Sequence, residues 1–240
     1  MTHKRSNVWQ RTRRYSLRIL LIVFLFFIGL QLWYGAQVLW LRQHNPTTTS
    51  YMEIGLARLH ESKPNAVLTQ RFVPYPKISD NAKRAVLGAE DSKFASHFGF
   101  DVEGIRHAIK KNLRAGEKVA GGSTISQQLA KNLFLTGSRS YGRKAQEAII
   151  TLQLEILLSK ERILELYLNY AEWGSGLYGI DAASHYYFGI SASQLNSWQA
   201  ARLAAMLPKP RYYQQVGSTE WLEQKTGIIQ RRMPKVILPK

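Results

Sequence analysis

Residues 121–132 read GGSTISQQLAKN, from Gly121 to Asn132. Two glycines precede Thr124, and Gln127 follows three places after it, which is the spacing of a capping box. In such a box a threonine hydroxyl and a glutamine amide satisfy each other's free backbone N–H groups at a helix start. The stretch predicts a tight glycine turn that feeds directly into a helix running toward Leu135. Backbone N–H groups at such a turn suit an anion, but glycine turns before helices are common, and the turn alone does not assign one.

Working outward, Ala145, Ala148, Ile149, Leu152 and Ile156 recur at helical spacing, and so do Ile163, Leu164, Tyr167 and Leu168 after a break near Ser159, which predicts two core helices. Gly174, Gly176 and Gly179 mark a loop, Ile180 to Tyr187 a short helix, and Ser193 to Leu207 a longer one stopped by Pro208 and Pro210. Upstream, Val73-Pro74-Tyr75-Pro76 is an extended entry, after which Ser79 or Asp80 caps a helix with Ala82, Ala85, Val86 and Ala89 on one side. No convincing run of alternating strand residues is present. The expected fold class is all-α, mainly helical with long irregular connections.

From Ile19 to Leu41 no ionisable residue occurs, and the run ILLIVFLFFIGLQLWYGAQVLWL covers 23 positions. As a helix it spans about 34 Å, enough for a hydrocarbon core of roughly 30 Å. A cleaved signal peptide has a shorter apolar region ending at small residues; this one ends at Trp40-Leu41-Arg42, so a retained transmembrane helix is expected. Lys4, Arg5, Arg11, Arg13, Arg14 and Arg18 crowd its front, and Trp33, Tyr34 and Trp40 its far half. The positive-inside rule then puts residues 1–18 in the cytoplasm as a basic tail and the rest of the chain outside. Gln31 and Gln37 interrupt the run and are read as tolerated near the outer interface or bonded to their own backbone. His44-Asn45-Pro46 and the Thr47–Ser50 cluster make residues 42–65 a juxtamembrane stalk, leaving 66–235 for one catalytic domain.

Lys and Arg number 33 against 16 Asp and Glu, a net charge of +17, which implies an anionic partner such as acidic lipid, diphosphate or nucleic acid. Nucleic acid fits poorly, because much of the excess lies on the tail and the rest lies outside the cytoplasm. Cysteine is absent, which excludes disulfides, thiolate zinc sites and a cysteine nucleophile.

Glu90 and Asp91 open EDSKFASHFG. Adjacent acids at a helix end are most often a solvated surface. Beside Phe94 in a cleft, a desolvated carboxylate becomes instead a usable general base, with His97 orienting it or capping the turn. Arg143, Lys144 and Glu147 fall within one helical turn, where an Arg143–Glu147 surface ion pair is the plain reading.

Together, EDSKFASHFG, GGSTISQQLAKN, RKAQEAIITLQLE, KERILELYLNYAEWGSGLYGI and AARLAAMLPKP resemble, in order and spacing, the five motifs of the family 51 peptidoglycan glycosyltransferases. The resemblance covers roughly residues 66–215 and departs from the usual pattern at Ser126, Thr151 and Asp181. It implies a lysozyme-like helical lobe beside a small membrane-dipping lobe, with the cleft between them. With 240 residues there is no room for a penicillin-binding domain, so a monofunctional transglycosylase is expected.

The resemblance further implies that lipid II, a disaccharide-pentapeptide on undecaprenyl diphosphate, is polymerised into β-1,4-linked glycan with inversion at MurNAc C1 and release of undecaprenyl diphosphate. Glu90 matches the general base and Glu147 the second acid near the diphosphate. Lys131, Arg139 and Arg143, with Lys144 as a weaker candidate, match the basic positions facing the donor diphosphate. Ser123, Gln127, Gln128 and Asn132 match residues that position sugar and phosphate oxygens. Asn169 and Glu172, in the fourth motif, are expected to shape a loop under the cleft rather than touch substrate. No metal-ligand spacing predicts a permanent site, although Mg²⁺ or Mn²⁺ shared with a diphosphate stays open. Expected partners are the growing glycan on its lipid carrier, membrane lipid and candidate cell-wall synthesis or division proteins, at the bacterial inner membrane with a periplasmic catalytic domain. Moenomycin-type phosphoglycolipids, which mimic the donor, are expected inhibitors. The rival readings are a lytic, lysozyme-like hydrolase, which has no need of the basic GGSTISQQLAKN cluster, and a membrane-tethered scaffold, which has no need of Glu90.

Overall fold

The computed structural model describes residues 2–116, 121–138 and 140–239. Helix α1 spans Thr2–Trp40 and α2 Ser50–Ser62; α3, Asp80–Glu90, and α4, Val102–Ala115, precede the glycine turn, and α5, Ile125–Phe134, follows it. Then come α6, Tyr141–Leu157, α7, Lys160–Tyr170, α8, Ile180–Phe188, α9, Ser197–Met206, α10, Pro210–Val216, and α11, Glu220–Arg232. The mainly helical class expected from the sequence is what the chain adopts.

Short polar side chains set many of these starts. Ser79, Asp101, Thr124, Ser140, Ser159, Asn196 and Thr219 each accept a backbone N–H from the first turn of the helix that follows, a contact typically contributing about 1 kcal/mol. Thr124 and Gln127 form the full capping box that their spacing predicts. The expected single helix over Ser193–Leu207 is instead a 3₁₀ turn, Ala192–Gln194, followed by α9. The break falls at Asn196, whose side chain begins a new capping box with Gln199.

Two helical groups share one core. Helix α3 packs on α9 and α11, and α5 packs on α6 and α7. Ala82, Ala85, Ala200, Ala201, Ala204 and Ala205 are buried in the first group, where small side chains let helix axes approach closely. Ile125, Leu129, Ile150, Leu154, Ile163 and Leu164 fill the second. The α6 face expected to be core from Ala145, Ala148, Ile149, Leu152 and Ile156 is instead turned outward, with Ala145, Leu152 and Ile156 exposed, because the buried side of α6 is the one carrying Glu147, Ile150, Thr151 and Leu154.

Contrary to the strand-free expectation, a small sheet of order β1-β3-β2 is present, with β1 at Thr69–Gln70, β2 at Glu172–Gly174 and β3 at Leu177–Tyr178. β1 pairs with β3 in parallel, and β2 pairs with β3 antiparallel across an irregular register. Strands of two or three residues are too short to show an alternating pattern. The sheet and the buried Asn169 hold the 66–78 entry segment to α7. Asn169 Oδ1 accepts from Val73 N at 2.7 Å, and its Nδ2 donates to Val73 O at 2.9 Å and Glu165 O at 2.8 Å. Asn169→Leu leaves Val73 with an unpaired N–H and C=O, so chemical denaturation is expected to show a loss of about 3 kcal/mol; a midpoint within error of wild type would contradict that role.

Residues 50–62 of the expected stalk fold as α2, because Thr49 acts as an N-cap, accepting from Met52 N at 3.2 Å. The helix packs on α5, and a Cβ at Gly55 would lie 2.1 Å from the Tyr178 hydroxyl oxygen.

Within α1, the 28 residues Arg13–Trp40 are long and apolar enough to cross a membrane. Through Gly29 the side chains described are exposed; beyond it the helix leans on α6. Gln31 is not bonded merely within its own helix: its Nε2 donates to Gln146 Oε1 at 3.1 Å, Gln146 Nε2 donates back to Gln31 Oε1 at 2.9 Å, and Gln153 Nε2 donates to Gln31 O at 3.0 Å. Arg162 completes the junction, donating to Leu41 O, His44 O and Asn45 Oδ1. The apolar helix is thereby fixed to the domain rather than tethered by a loose stalk.

Candidate active site

The two motifs around Glu90 and Gly121 are spliced by one carboxylate. Asp91 is buried; its oxygens accept from His97 Nε2 at 2.8 and 3.1 Å, and Oδ2 also accepts from the backbone N–H of Ile125, the first residue of α5, at 3.0 Å. Thr124 Oγ1 donates to Gly99 O at 2.6 Å. His97 thus orients Asp91, and Asp91 docks the start of α5 against the end of α3. A solvated surface for the Glu90–Asp91 pair is ruled out by this arrangement.

Beneath the corner, Glu155 is buried on α6 and accepts from Ser126 Oγ at 2.5 Å and Lys160 Nζ at 2.9 Å. Gly99 sits at φ +79°, and a Cβ there would come within 2.9 Å of Thr151 Cγ2 and 3.1 Å of Glu155 Cγ. The backbone turn and the close approach both require glycine.

Glu90 lines a cleft of about 140 Å³ whose wall includes Asp91, Asp101, Ser123, Thr124 and Arg232. It is half-buried, and its Oε2 accepts from Gln128 Nε2 at 2.8 Å. Burial pushes its carboxyl above the ordinary range. Gln128, Lys225 and Lys131 act in the opposite direction, while Asp91 adds to the rise. The result is a carboxylate that binds a proton more readily than a free glutamate and is held among cations, suited to taking a proton from a hydroxyl.

A second cluster lies on α6. Glu147, 3 % exposed, accepts from Arg143 Nη1 at 2.7 Å and from Lys144 Nζ. The Arg143–Glu147 contact is therefore not a surface pair: the carboxylate is enclosed by the fold, and the i,i+4 spacing looks the same in sequence either way. With both carboxylate oxygens taken by cations, Glu147 is poorly placed to ligate a divalent ion, and among the described residues no group of three or more His, Cys, Asp or Glu is arranged to hold a metal. The described residues do not fit a resident Mg²⁺ or Mn²⁺.

Of the other expected site residues, Ser123 lines the cleft and Gln128 reaches Glu90 directly. Lys131 lies half-buried near the end of α5, its Nζ 4.7 Å from the centre of the Tyr51 ring, next to half-buried Asn132. Gln127 is buried, and its amide oxygen accepts from Thr124 N at 3.1 Å. Glu172 accepts from Arg211 Nε at 2.5 Å, tying β2 to α10. Arg139 lies outside the described residues.

Sequence reading missed Lys225 and Arg232 of α11, seven residues apart on one helix face. Arg232 lines the Glu90 cleft, and Lys225 is close enough to act on the Glu90 charge. Burial, Arg232 and Lys111 push the Lys225 ammonium below its ordinary range, opposed by Glu90. The two-turn spacing was the available signal, but it carries no indication of which face meets α3. Tyr167 of α7, read only as a core residue, donates its hydroxyl to Gln128 Oε1 at 3.0 Å.

Comparison with known proteins gives a consistent result. The family model described as Transglycosylase matches residues 58–234. A biosynthetic peptidoglycan transglycosylase of Chromobacterium violaceum is 51 % identical over 226 residues, covering 94 % of this chain and 99 % of the relative. Proteins of the same description from Alcanivorax borkumensis and Dechloromonas aromatica are 52 % and 54 % identical, covering 95 % and 89 % of this chain and 90 % and 92 % of their own lengths.

Proposed function

The chain belongs to the transglycosylase family, and from that premise we propose that it is a peptidoglycan glycosyltransferase that polymerises lipid II at the outer face of the bacterial inner membrane. The observation that carries this reading is the half-buried Glu90 held among cations, in a domain to which an apolar helix is docked by paired amides.

In the proposed step Glu90 takes the proton of the acceptor GlcNAc 4-hydroxyl as that oxygen attacks donor MurNAc C1. The bond from C1 to the diphosphate oxygen breaks with inversion, its electron pair leaves on undecaprenyl diphosphate, and the proton stays on Glu90. Lys131, Arg143 and Lys144 meet the negative charge that develops on the departing diphosphate, an electrostatic contribution that grows in a site partly closed to water. Glu147 holds Arg143 and Lys144 in place. Ser123, Gln128 and Asn132 position sugar and phosphate oxygens, and Lys225 and Arg232 add positive charge on the α11 side of the cleft, where an acceptor diphosphate is accommodated.

The proposed location is supported by α1. A hydrocarbon core of roughly 30 Å takes about 20 helical residues, so a span starting after Arg18 ends near Val38. The docked stretch from Leu30 onward therefore lies within the outer leaflet, and the α6 face beside it, with exposed Leu152 and Ile156, meets lipid. Helix α4 supplies a second lipid-facing element: Val102, Ile109 and Leu113 share one face and are exposed, beside Arg106, Lys110 and Arg114. An apolar stripe flanked by cations is the pattern of a helix lying in a membrane interface. A substrate on a polyprenyl carrier then reaches the cleft by lateral diffusion.

A fluorescent moenomycin-type phosphoglycolipid is expected to bind the purified full-length chain, and Lys131→Ala to weaken it at least about tenfold through loss of a charge-assisted phosphate contact. Absence of binding, or binding indifferent to Lys131, would count against a donor site at this cleft.

A further inference from the structure

Gln128 stands between two groups that face opposite sides of its amide. Its Nε2 donates to Glu90 Oε2 at 2.8 Å, and its Oε1 accepts from the Tyr167 hydroxyl at 3.0 Å. Tyr167 is only 2 % exposed, on the inner side of α7. We propose that Tyr167 is a positioning residue for Glu90: by donating to Gln128 Oε1 it fixes the amide with its nitrogen toward the carboxylate, keeping Glu90 ionised and aimed for proton removal. This rests on Glu90 being the base.

The chemistry of an amide supplies the logic. A glutamine side chain offers two donors at one end and an acceptor at the other, and nothing in its own shape decides which end faces a neighbour. Turned over, it would put Oε1 against Glu90, a contact that is favourable only when the carboxyl carries its proton. The same rotation would leave the Tyr167 hydroxyl facing Nε2, with its proton lacking the acceptor it has now, in a place closed to water. A buried O–H without a partner is costly, so the tyrosine selects the orientation in which Glu90 is a carboxylate. Burial, with the nearby Glu90 and Asp91 charges, pushes the Tyr167 phenol well above its ordinary range, so the hydroxyl keeps its proton wherever Glu90 titrates.

The other groups facing Glu90 come from several elements. Asp91 at the end of α3 favours the protonated acid, while Lys131 on α5 and Lys225 on α11 favour the carboxylate. Asp101 before α4 and Arg232 on α11 line the same cleft. None of them touches the Gln128 oxygen in the described hydrogen bonds, so the amide's orientation depends on Tyr167.

The test is the pH dependence of labelled lipid II polymerisation by the full-length protein, for wild type, Tyr167→Phe, Gln128→Ala, the double variant and Glu90→Gln, with thermal unfolding followed in parallel. Tyr167→Phe removes one oxygen and leaves the ring. It is expected to move the acid limb upward by about half to one pH unit, lowering the rate about three- to tenfold below the limb and recovering above it. Gln128→Ala is expected to move the limb in the same direction, and Tyr167→Phe to add no further shift in that background. An unmoved limb in Tyr167→Phe, a loss equal at every pH, or a full additional shift in the double variant would overturn the relay while leaving Glu90 as base. Glu90→Gln polymerising at the wild-type rate would overturn the base assignment itself, and the relay with it.

Discussion

Glu90→Gln is expected to lower lipid II polymerisation by about a thousandfold, within the range that general base catalysis usually contributes. The substitution is nearly isosteric, and the new amide oxygen can still accept from Gln128 Nε2, which is 2.8 Å from Glu90 Oε2 in the native protein. The change also removes a desolvated carboxyl, whose burial already opposes ionisation, so the fold has no cause to weaken. The expected signature is therefore loss of turnover with thermal unfolding and phosphoglycolipid binding retained. Wild-type turnover in the variant would remove Glu90 from the chemistry and assign proton removal to another group.

The second large effect is expected at Arg143. Its guanidinium donates to buried Glu147 at 2.7 Å and, in the proposed reaction, faces the leaving diphosphate. Arg143→Ala should reduce kcat/KM by about a hundredfold, the usual cost of deleting one preorganised group that meets developing charge. It also leaves Glu147 to Lys144 alone, so stability should fall by about 1–3 kcal/mol, less than for a fully buried pair because Arg143 is partly exposed. Arg143→Lys keeps the charge but loses the planar fork that can hold a carboxylate and a phosphate together, and should recover stability better than rate. Equal recovery of both, or a rate loss no larger than the loss of folded protein, would mean that Arg143 serves only to bury Glu147.

What the sequence made legible is what local rules encode. The Thr124–Gln127 capping box, the helical period of Ala145–Ile156 and Ile163–Leu168, and the apolar run to Leu41 all follow from residues within a few turns of one another, but which face of α6 is buried did not, since Leu152 and Ile156 of the expected stripe are exposed and Ile150 is buried. The candidate acids and bases were legible through motif order. Their geometry was not, because burial is a property of packing. Asp91 looks like a surface acid until Ile125, 34 positions away, supplies its N–H. The Arg143–Glu147 spacing fits an exposed helix face as well as an enclosed one. Gln31 reads as a blemish because its partners, Gln146 and Gln153, are 115 and 122 positions distant. Arg232 lines the cleft, and Lys225 acts on the Glu90 charge, only because α11 packs on α3. Helix α2 shows a different limit: the Thr-rich segment was read for its aversion to helix, whereas Thr49 is there to start one.

The most informative single measurement gives the purified full-length chain, in bilayers, labelled lipid II in one reaction and preformed uncrosslinked glycan in the other. A membrane-docked polymerase with Glu90 as base should convert lipid II into polymer that lysozyme degrades and leave the preformed glycan intact. Cleavage of the glycan with no polymer from lipid II would contradict that assignment and make the cleft a lytic one.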